Sequence, residues 1–265
     1  MSAFSPNHVL PDIPAPCLAA MGALVGLVIG SFVTNTAVRS TRGETNLFGR
    51  SVCDHCRTPL RWNQTIPLVS FLSQGGRCRT CRAQIEPIHL WGELAGAVVL
   101  SSTASLLPLP QALAVAVLGF VLLALSLIDI QTFRLPNSIV FTVAVFCAML
   151  AFFNGRAIVG SISALVVWGL LTCVQIILHR RLAQRVLGGG DIKLCSALAL
   201  WTGLGIVYIL LLASATALAV MLLTRQRGRI AFGPYLCGAG FMMGMCVESP
   251  QVHDMLPYVA DILIW

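Results

Sequence analysis

Two aspartates and four cysteines are the residues of this 265-residue chain whose types and spacing could do chemistry. Asp129 stands in Leu127-Ile128-Asp129-Ile130-Gln131, and Asp191 in Gly188-Gly189-Gly190-Asp191-Ile192-Lys193. Each lies at the edge of a long apolar run. Acidic residues are scarce, ten in all, and a carboxylate at membrane depth is costly and points to function. Two carboxyls that share one proton supply an acid and a base in a single site. The base can activate a water for attack on a peptide carbonyl, while the acid supports the oxyanion and the leaving amine. Taken singly, either aspartate could cap a helix or solvate a joint. Taken together, beside a triple glycine that allows irregular backbone and close approach, they point to paired chemistry. The glycine run lacks the Gly-Lys-Ser/Thr ending of a phosphate-binding loop.

Cys53-Asp54-His55-Cys56 and Cys78-Arg79-Thr80-Cys81 form two CxxC knuckles separated by 21 residues. Two intervening residues let both thiolates of a knuckle face one ion, and two knuckles complete a tetrahedral four-thiolate zinc site. With all four positions filled by protein, such a site is structural, and in a small polar segment it supplies much of the folding energy. A redox role for one CxxC is the weaker reading. His55 is surplus to the ligand set and reads as a surface residue. The other cysteines (Cys17, Cys147, Cys173, Cys195, Cys237 and Cys246) are scattered through apolar runs and read as small hydrophobes.

The elements that must position these groups are apolar helices. The composition is 57% hydrophobic and only 10% charged, far from the roughly 25% charged of a soluble domain, and a membrane span needs about 20 apolar residues. Eight apolar segments can be read: Cys17–Val38, Leu90–Leu107, Ala112–Ile128, Ser138–Phe153, Ala157–Leu178, Leu194–Gly203, Leu204–Thr224 and Ala231–Val247. The sixth and seventh require a tight turn near Trp201-Thr202-Gly203. The predicted fold is an all-α polytopic membrane protein of about eight transmembrane helices, with a small cytosolic zinc-binding domain between the first two. The predicted organisation is an external N-terminus and first helix over 1–38, the four-cysteine domain over 39–89 and a membrane-embedded catalytic region over 90–265.

The net charge of +7 comes from 17 basic residues, Lys193 being the only lysine. In a soluble protein this balance would suggest nucleic acid; here it sets orientation, because basic residues collect in cytoplasmic joints. With the N-terminus outside, the joints Arg39–His89, Asp129–Asn137, His179–Lys193 and Arg225–Arg229 face the cytosol and carry every basic residue except Arg156. Asp129 and Asp191 are separated by two complete segments and so emerge on the same face. Met1–Pro16 has no basic residue of the kind that opens a cleavable signal peptide, so the first span is expected to be retained. The apolar tail Met255–Trp265 is too short to cross and is expected at the interface.

Gly188-x-Gly190-Asp191-x-Lys193, preceded by Asp129 and Leu135-Pro136-Asn137, resembles the type IV prepilin peptidases of the GxGD aspartyl protease group. Gly30-Ser31-Phe32, Arg39, Arg50-Ser51-Val52-Cys53-Asp54-His55-Cys56, Ile66-Pro67-Leu68-Val69-Ser70-Phe71, Gly76-Arg77-Cys78-Arg79-Thr80-Cys81 and Glu93 are similar to that family's opening region. The resemblance implies an enzyme of the bacterial inner membrane, lipid-embedded and independent of nucleic acid. It would cut basic leaders from type IV prepilins or type II secretion pseudopilins at the cytosolic face. It further implies N-methylation of the new terminus from S-adenosylmethionine. By carry-over Asp129 and Asp191 are the catalytic pair. The zinc-bearing joint (Cys53, Cys56, Cys78 and Cys81) goes with the methyl-transferring members. Val33-Thr34-Asn35-Thr36 and Trp62-Asn63-Gln64-Thr65 depart from the family's usual residues, and Asn137 stands where many members have Asp. Glu93, next to the zinc domain, is the candidate for binding the methyl donor; its alternative is an interfacial acid with no such role. A different class of function, an ion- or proton-coupled transporter with Asp129 and Asp191 as relays, would favour charges near mid-span and needs no zinc domain. An anchoring protein that docks partners through its zinc domain leaves the triple glycine unexplained.

Overall fold

The computed structural model describes residues 14–44, 49–182, 188–225 and 230–249. The start of Met1–Pro16, the tail Met255–Trp265 and parts of the basic joints His179–Lys193 and Arg225–Arg229 lie outside the described residues. Among the described residues the regular structure is helical, apart from two isolated antiparallel bridges, Val52 with Pro59 and Arg77 with Gln84. The chain divides into two compact units, Met1–Ala116 and Val117–Trp265.

The first unit contains α1 (Ala15–Thr41), the short α2 (Val69–Ser73) and α3 (Pro87–Leu106). Pro87 begins α3, where its missing N–H costs nothing because the first helical amides have no partner within the helix. Helices α1 and α3 pack against each other along Gly22, Gly26, Gly30 and Thr34, which recur at every fourth position of α1 and are all buried. A Cβ on Gly30 would sit 2.6 Å from the Gly92 carbonyl oxygen, and one on Gly96 would sit 2.6 Å from the Gly30 Cα. Both obstacles are backbone and cannot yield. Lipid gives helices no hydrophobic reason to associate, so close approach over small residues takes that place. This repeat of small residues was legible in the sequence, yet periodicity of apolar residues alone does not single it out.

The second unit contains most of α4 (Leu109–Thr132), with α5 (Asn137–Phe153), α6 (Ala157–Leu182), α7 (Gly189–Thr202), α8 (Ile206–Thr224) and α9 (Gly233–Glu248). Helix α7 is the hub, packed by α5, α6 and α9. Ile192, Leu194, Cys195, Leu198, Ala199 and Trp201 along it are all buried. Gly203, at φ +57°, ends α7 where the sequence demanded a tight turn, and one 3-10 turn leads into α8. At this end the Glu248 carboxylate accepts from the Trp201 indole at 2.9 Å and from the Asn154 amide at 2.7 Å. That ties α5, α7 and α9 together, and Gly244 leaves room for the Trp201 ring.

The eight apolar segments read from sequence coincide with α1 and α3 to α9. Among the described residues four stretches, Ala15–Thr41, Leu109–Thr132, Ala157–Arg181 and Gly189–Thr224, are long and apolar enough to cross a membrane, and Asn137–Phe153 is apolar but shorter. Their outward faces are bare hydrocarbon: Ile158 is 77% exposed, Leu165 70% and Leu223 84%. Helices with such faces suit a lipid solvent, which satisfies no backbone polar group and needs none satisfied here.

Replacing Gly26 with Leu should force α1 from α3, since the intruding carbons meet the Gly96 and Ala97 backbone. Overpacking of this kind costs about 1–3 kcal/mol or more. Thermal unfolding in detergent should show a clear drop for Gly26→Leu and little change for Gly169→Leu, whose site has nothing within 4 Å.

Candidate active site and thiolate cluster

Asp129 and Asp191 both belong to helical turns and not to the adjoining loops. Helix α4 runs on to Thr132, so Asp129 sits in its last turn, and the chain then reverses at Phe133, φ +52°. Helix α7 begins at Gly189, five residues before the apolar run suggested, so Asp191 sits in its first turn. Asp129 is buried. Its Oδ2 accepts the backbone N–H of Gly233 at 2.9 Å, which brings the start of α9 to the end of α4. Asp191 lies near enough to feel the Asp129 charge.

The glycines before Asp191 have separate jobs. A Cβ on Gly188 would lie 2.6 Å from Asp191 Oδ2, and one on Gly190 would lie 2.8 Å from the Leu135 Cβ. Gly189 has nothing within 4 Å. The first glycine makes room for the carboxylate; the third lets α7 approach the segment that follows α4. Across the same gap, Lys193 Nζ donates to Asn137 Oδ1 at 2.8 Å. The asparagine therefore holds the lysine as a neutral acceptor.

The four predicted cysteines converge. The sulfurs of Cys53, Cys56, Cys78 and Cys81 lie within 4.8 Å of one another and could hold a metal ion. The Cys53 and Cys81 sulfurs are 3.8 Å apart, and a tetrahedral ion with bonds of about 2.3 Å needs sulfurs about 3.8 Å apart. The two knuckles have the same local build. Cys53 N–H donates to Thr58 O and Arg57 N–H to Cys53 O; Cys78 N–H donates to Ala83 O and Arg82 N–H to Cys78 O. Arg57 and Arg82 take equivalent positive φ values of 56° and 61°. Hydrogen bonds from Thr58 pull the Cys56 thiol down to about 6, and amides of Cys81 and Thr80 lower that of Cys78. Both favour the thiolate, the form that binds metal.

Charges fasten this segment to its helices. Asp54 pairs with His89 at 3.7 Å and with Arg42, and these two neighbours hold its carboxyl well below the usual carboxylate range. The Arg39 guanidinium donates to the Gly49 and Arg50 carbonyls, each at 2.7 Å. His55 is exposed, as expected of a residue outside the ligand set. Glu93 is buried at 8% exposure, accepting from Ser31 Oγ at 2.8 Å and from the Leu68 N–H at 2.7 Å. It therefore holds the Ile66–Val69 turn to α1 and α3.

Residues 116–223 match the type IV leader peptidase family, and residues 24–106 match the bacterial peptidase A24 N-terminal domain. A prepilin leader peptidase/N-methyltransferase of Burkholderia pseudomallei strain 1026b is 31% identical, over 90% of this chain and 89% of that protein. The chain belongs to the type IV leader peptidase family. A prepilin leader peptidase/N-methyltransferase of Aeromonas hydrophila is 34% identical over 73% of this chain and 70% of its own length. A type 4 prepilin-like proteins leader peptide-processing enzyme of Escherichia coli is 31% identical over 85% of this chain and 91% of its own. No solved structure matches the chain.

One residue of this leader peptidase that sequence reading missed is Gly233. The available signal was Gly233-Pro234 at the head of an apolar run, since proline favours the first turn of a helix. Its partner, more than a hundred residues away, was not readable. A Cβ at Gly233 would lie 2.6 Å from Asp129 Oδ2. Gly233→Val should therefore displace the carboxylate and lower peptidase activity by roughly a hundredfold, the scale of a 1 Å misplacement. Gly238→Ala, where nothing lies within 4 Å, should match the parent in the same assay.

Proposed function

We propose that this chain is an inner-membrane aspartic endopeptidase. It removes the basic leaders of prepilins or pseudopilins and then N-methylates the exposed terminus. The observation that carries the first half is the placement of two carboxylates at helix ends, Asp129 on the last turn of α4 against Gly233 and Asp191 on the first turn of α7 against Gly188. Family membership and the names of the relatives support both halves.

In this reading the two carboxyls hold one proton between them. Among the described residues, Asp129 has a donor only at Oδ2, from Gly233. Its other oxygen is left to take a proton from the attacking water. Asp191, in the space opened by Gly188, supplies the proton that supports the carbonyl oxygen and then the leaving amine. Both aspartates fall outside the long middle portions of their helices, as an enzyme needs if its substrate is cut at the membrane edge. A transporter would place its relay charges along a path through the unit, and neither the helix-end position nor the family favours that.

The topology we propose has eight spans, α1 and α3 to α9, with the N-terminus outside and the thiolate segment 39–89 in the cytosol. Helices α5 and α6 lie between the two aspartates in sequence, so an antiparallel passage returns both carboxylates to one face. The basic joints support the cytosol for that face. The ion at Cys53, Cys56, Cys78 and Cys81 is zinc, held as a closed structural site that orders a segment with little apolar surface.

Asp129→Asn and Asp191→Asn should each lower leader cleavage by at least about a thousandfold, and the double variant should be hardly worse, because the pair acts as a unit. Cleavage of a purified prepilin followed on gels is the measurement; a single variant retaining substantial activity counts against the pair. Metal analysis of the detergent-purified protein should find about one zinc per chain, and Cys81→Ser should lose it and expose 39–89 to protease.

A further inference from the structure

The turn after α4 carries an exposed aromatic side chain on a backbone that such a residue resists. Phe133 has φ +52° and is 54% exposed. Left-handed backbone crowds the Cβ of an L-residue against a carbonyl, and glycine is the usual occupant just past a helix end. The Phe133 N–H closes the last turn of α4 on the Asp129 carbonyl at 2.8 Å. The turn around it is held at three points. Thr132 Oγ1 lies 2.9 Å from the Ile128 carbonyl and 3.2 Å from that of Arg134. Leu135 lies against Gly190, and Asn137 accepts from Lys193. Strained residues fixed by their surroundings in this way cluster at functional sites.

Asp129 sets where the ring stands relative to the chemistry. Four residues of helix rise about 6 Å, roughly two residues of an extended peptide. A peptide bound with its scissile bond at Asp129 reaches Phe133 with a side chain about two positions from the cut. Charge decides the direction. Arg134 on the turn and Lys193 across from it are both exposed, and among the described residues neither has an ion pair. Two such cations repel a basic leader, so the residues that follow the cut are the ones that lie over this turn. An anchor in the lipid interface also exposes an aromatic ring, but it has no need of strained backbone.

We propose that Phe133 contacts the substrate, its ring receiving an apolar side chain at the first or second position after the cut. The contact helps to choose which bond meets the carboxylates. The proposal rests on the reading that the chain removes basic leaders. Glycine would sit at this φ without strain but would offer the substrate no ring.

Cleavage by the full-length, zinc-loaded protein in detergent tests this with two substrates. One is a prepilin with leucine at the first two positions after the cut, the other the same prepilin with serine at both. The parent should show a KM roughly tenfold lower for the leucine substrate, the scale of one lost apolar contact, with kcat little changed. Phe133→Gly should raise the KM for the leucine substrate by about the same factor and be nearly indifferent to serine. Its melting temperature should match or exceed the parent's, since glycine takes this backbone freely. Phe133→Leu, still apolar, should stay within about threefold of the parent. Phe133→Asn, which also tolerates the left-handed region, carries the same comparison if glycine loosens the turn. Folded glycine and asparagine variants that cleave both substrates as the parent does overturn the contact and leave the peptidase reading standing. So do effects of enzyme and substrate changes that simply add, the result an interfacial anchor gives. A parent that cleaves neither these substrates nor the unaltered prepilin overturns the peptidase reading itself.

Discussion

Close approach of backbone to backbone, and of backbone to carboxylate, is the constraint on which both units depend. Hydrocarbon offers helices no hydrophobic pressure to associate and no hydrogen bonds to spare, so contact must come from fit and from internal donors. In the first unit the fit is the glycine repeat of α1 lying on Gly92 and Gly96. In the second it is a set of single glycines at the points where two elements meet. Gly188 faces Asp191, Gly190 faces Leu135, Gly233 faces Asp129 and Gly244 faces Trp201. A methyl group at any of these would need space that another atom already holds.

The same constraint explains how a carboxylate survives at the edge of an apolar helix. Asp129 is buried, and the donor it needs is the first free amide of α9, one of the few backbone N–H groups that a helix leaves without an internal partner. Using a helix terminus for this purpose costs the fold nothing, because that amide had to be satisfied in any case. The opposite ends of α5, α7 and α9 are secured by side chains instead, through Glu248, Asn154 and Trp201. Helix α7 is thus fixed at both ends, and the position of Asp191 follows from it.

The thiolate segment solves a different problem. Among the described residues between α1 and α3 there are a five-residue helix, one 3-10 turn and two isolated bridges, too little for a core of its own. Order comes from two matching knuckles that converge on one point and from charges that clamp the segment to its helices. Arg39 and Arg42 at the end of α1 and His89 at the start of α3 carry that clamp. Glu93 belongs to the same seam, where it accepts from Ser31 of α1 and from the Leu68 amide.

Much of this molecule was legible in its sequence. Hydropathy marked the apolar segments that form α1 and α3 to α9, since helices that face lipid demand uncharged runs of helical length. The CxxC pair announced the thiolate cluster, because tetrahedral coordination dictates its spacing, and the scarcity of acids drew attention to Asp129 and Asp191. What the sequence could not contain is which helix end meets which. That Gly233 serves Asp129, that Gly188 and not Gly189 makes room for Asp191, and that Glu93 is buried are facts of packing between residues far apart in the chain. Local pattern records the chemistry of each residue and the period of its helix. Only the tertiary structure decides its neighbours, because these contacts are set by the shapes of whole helices fitted against one another.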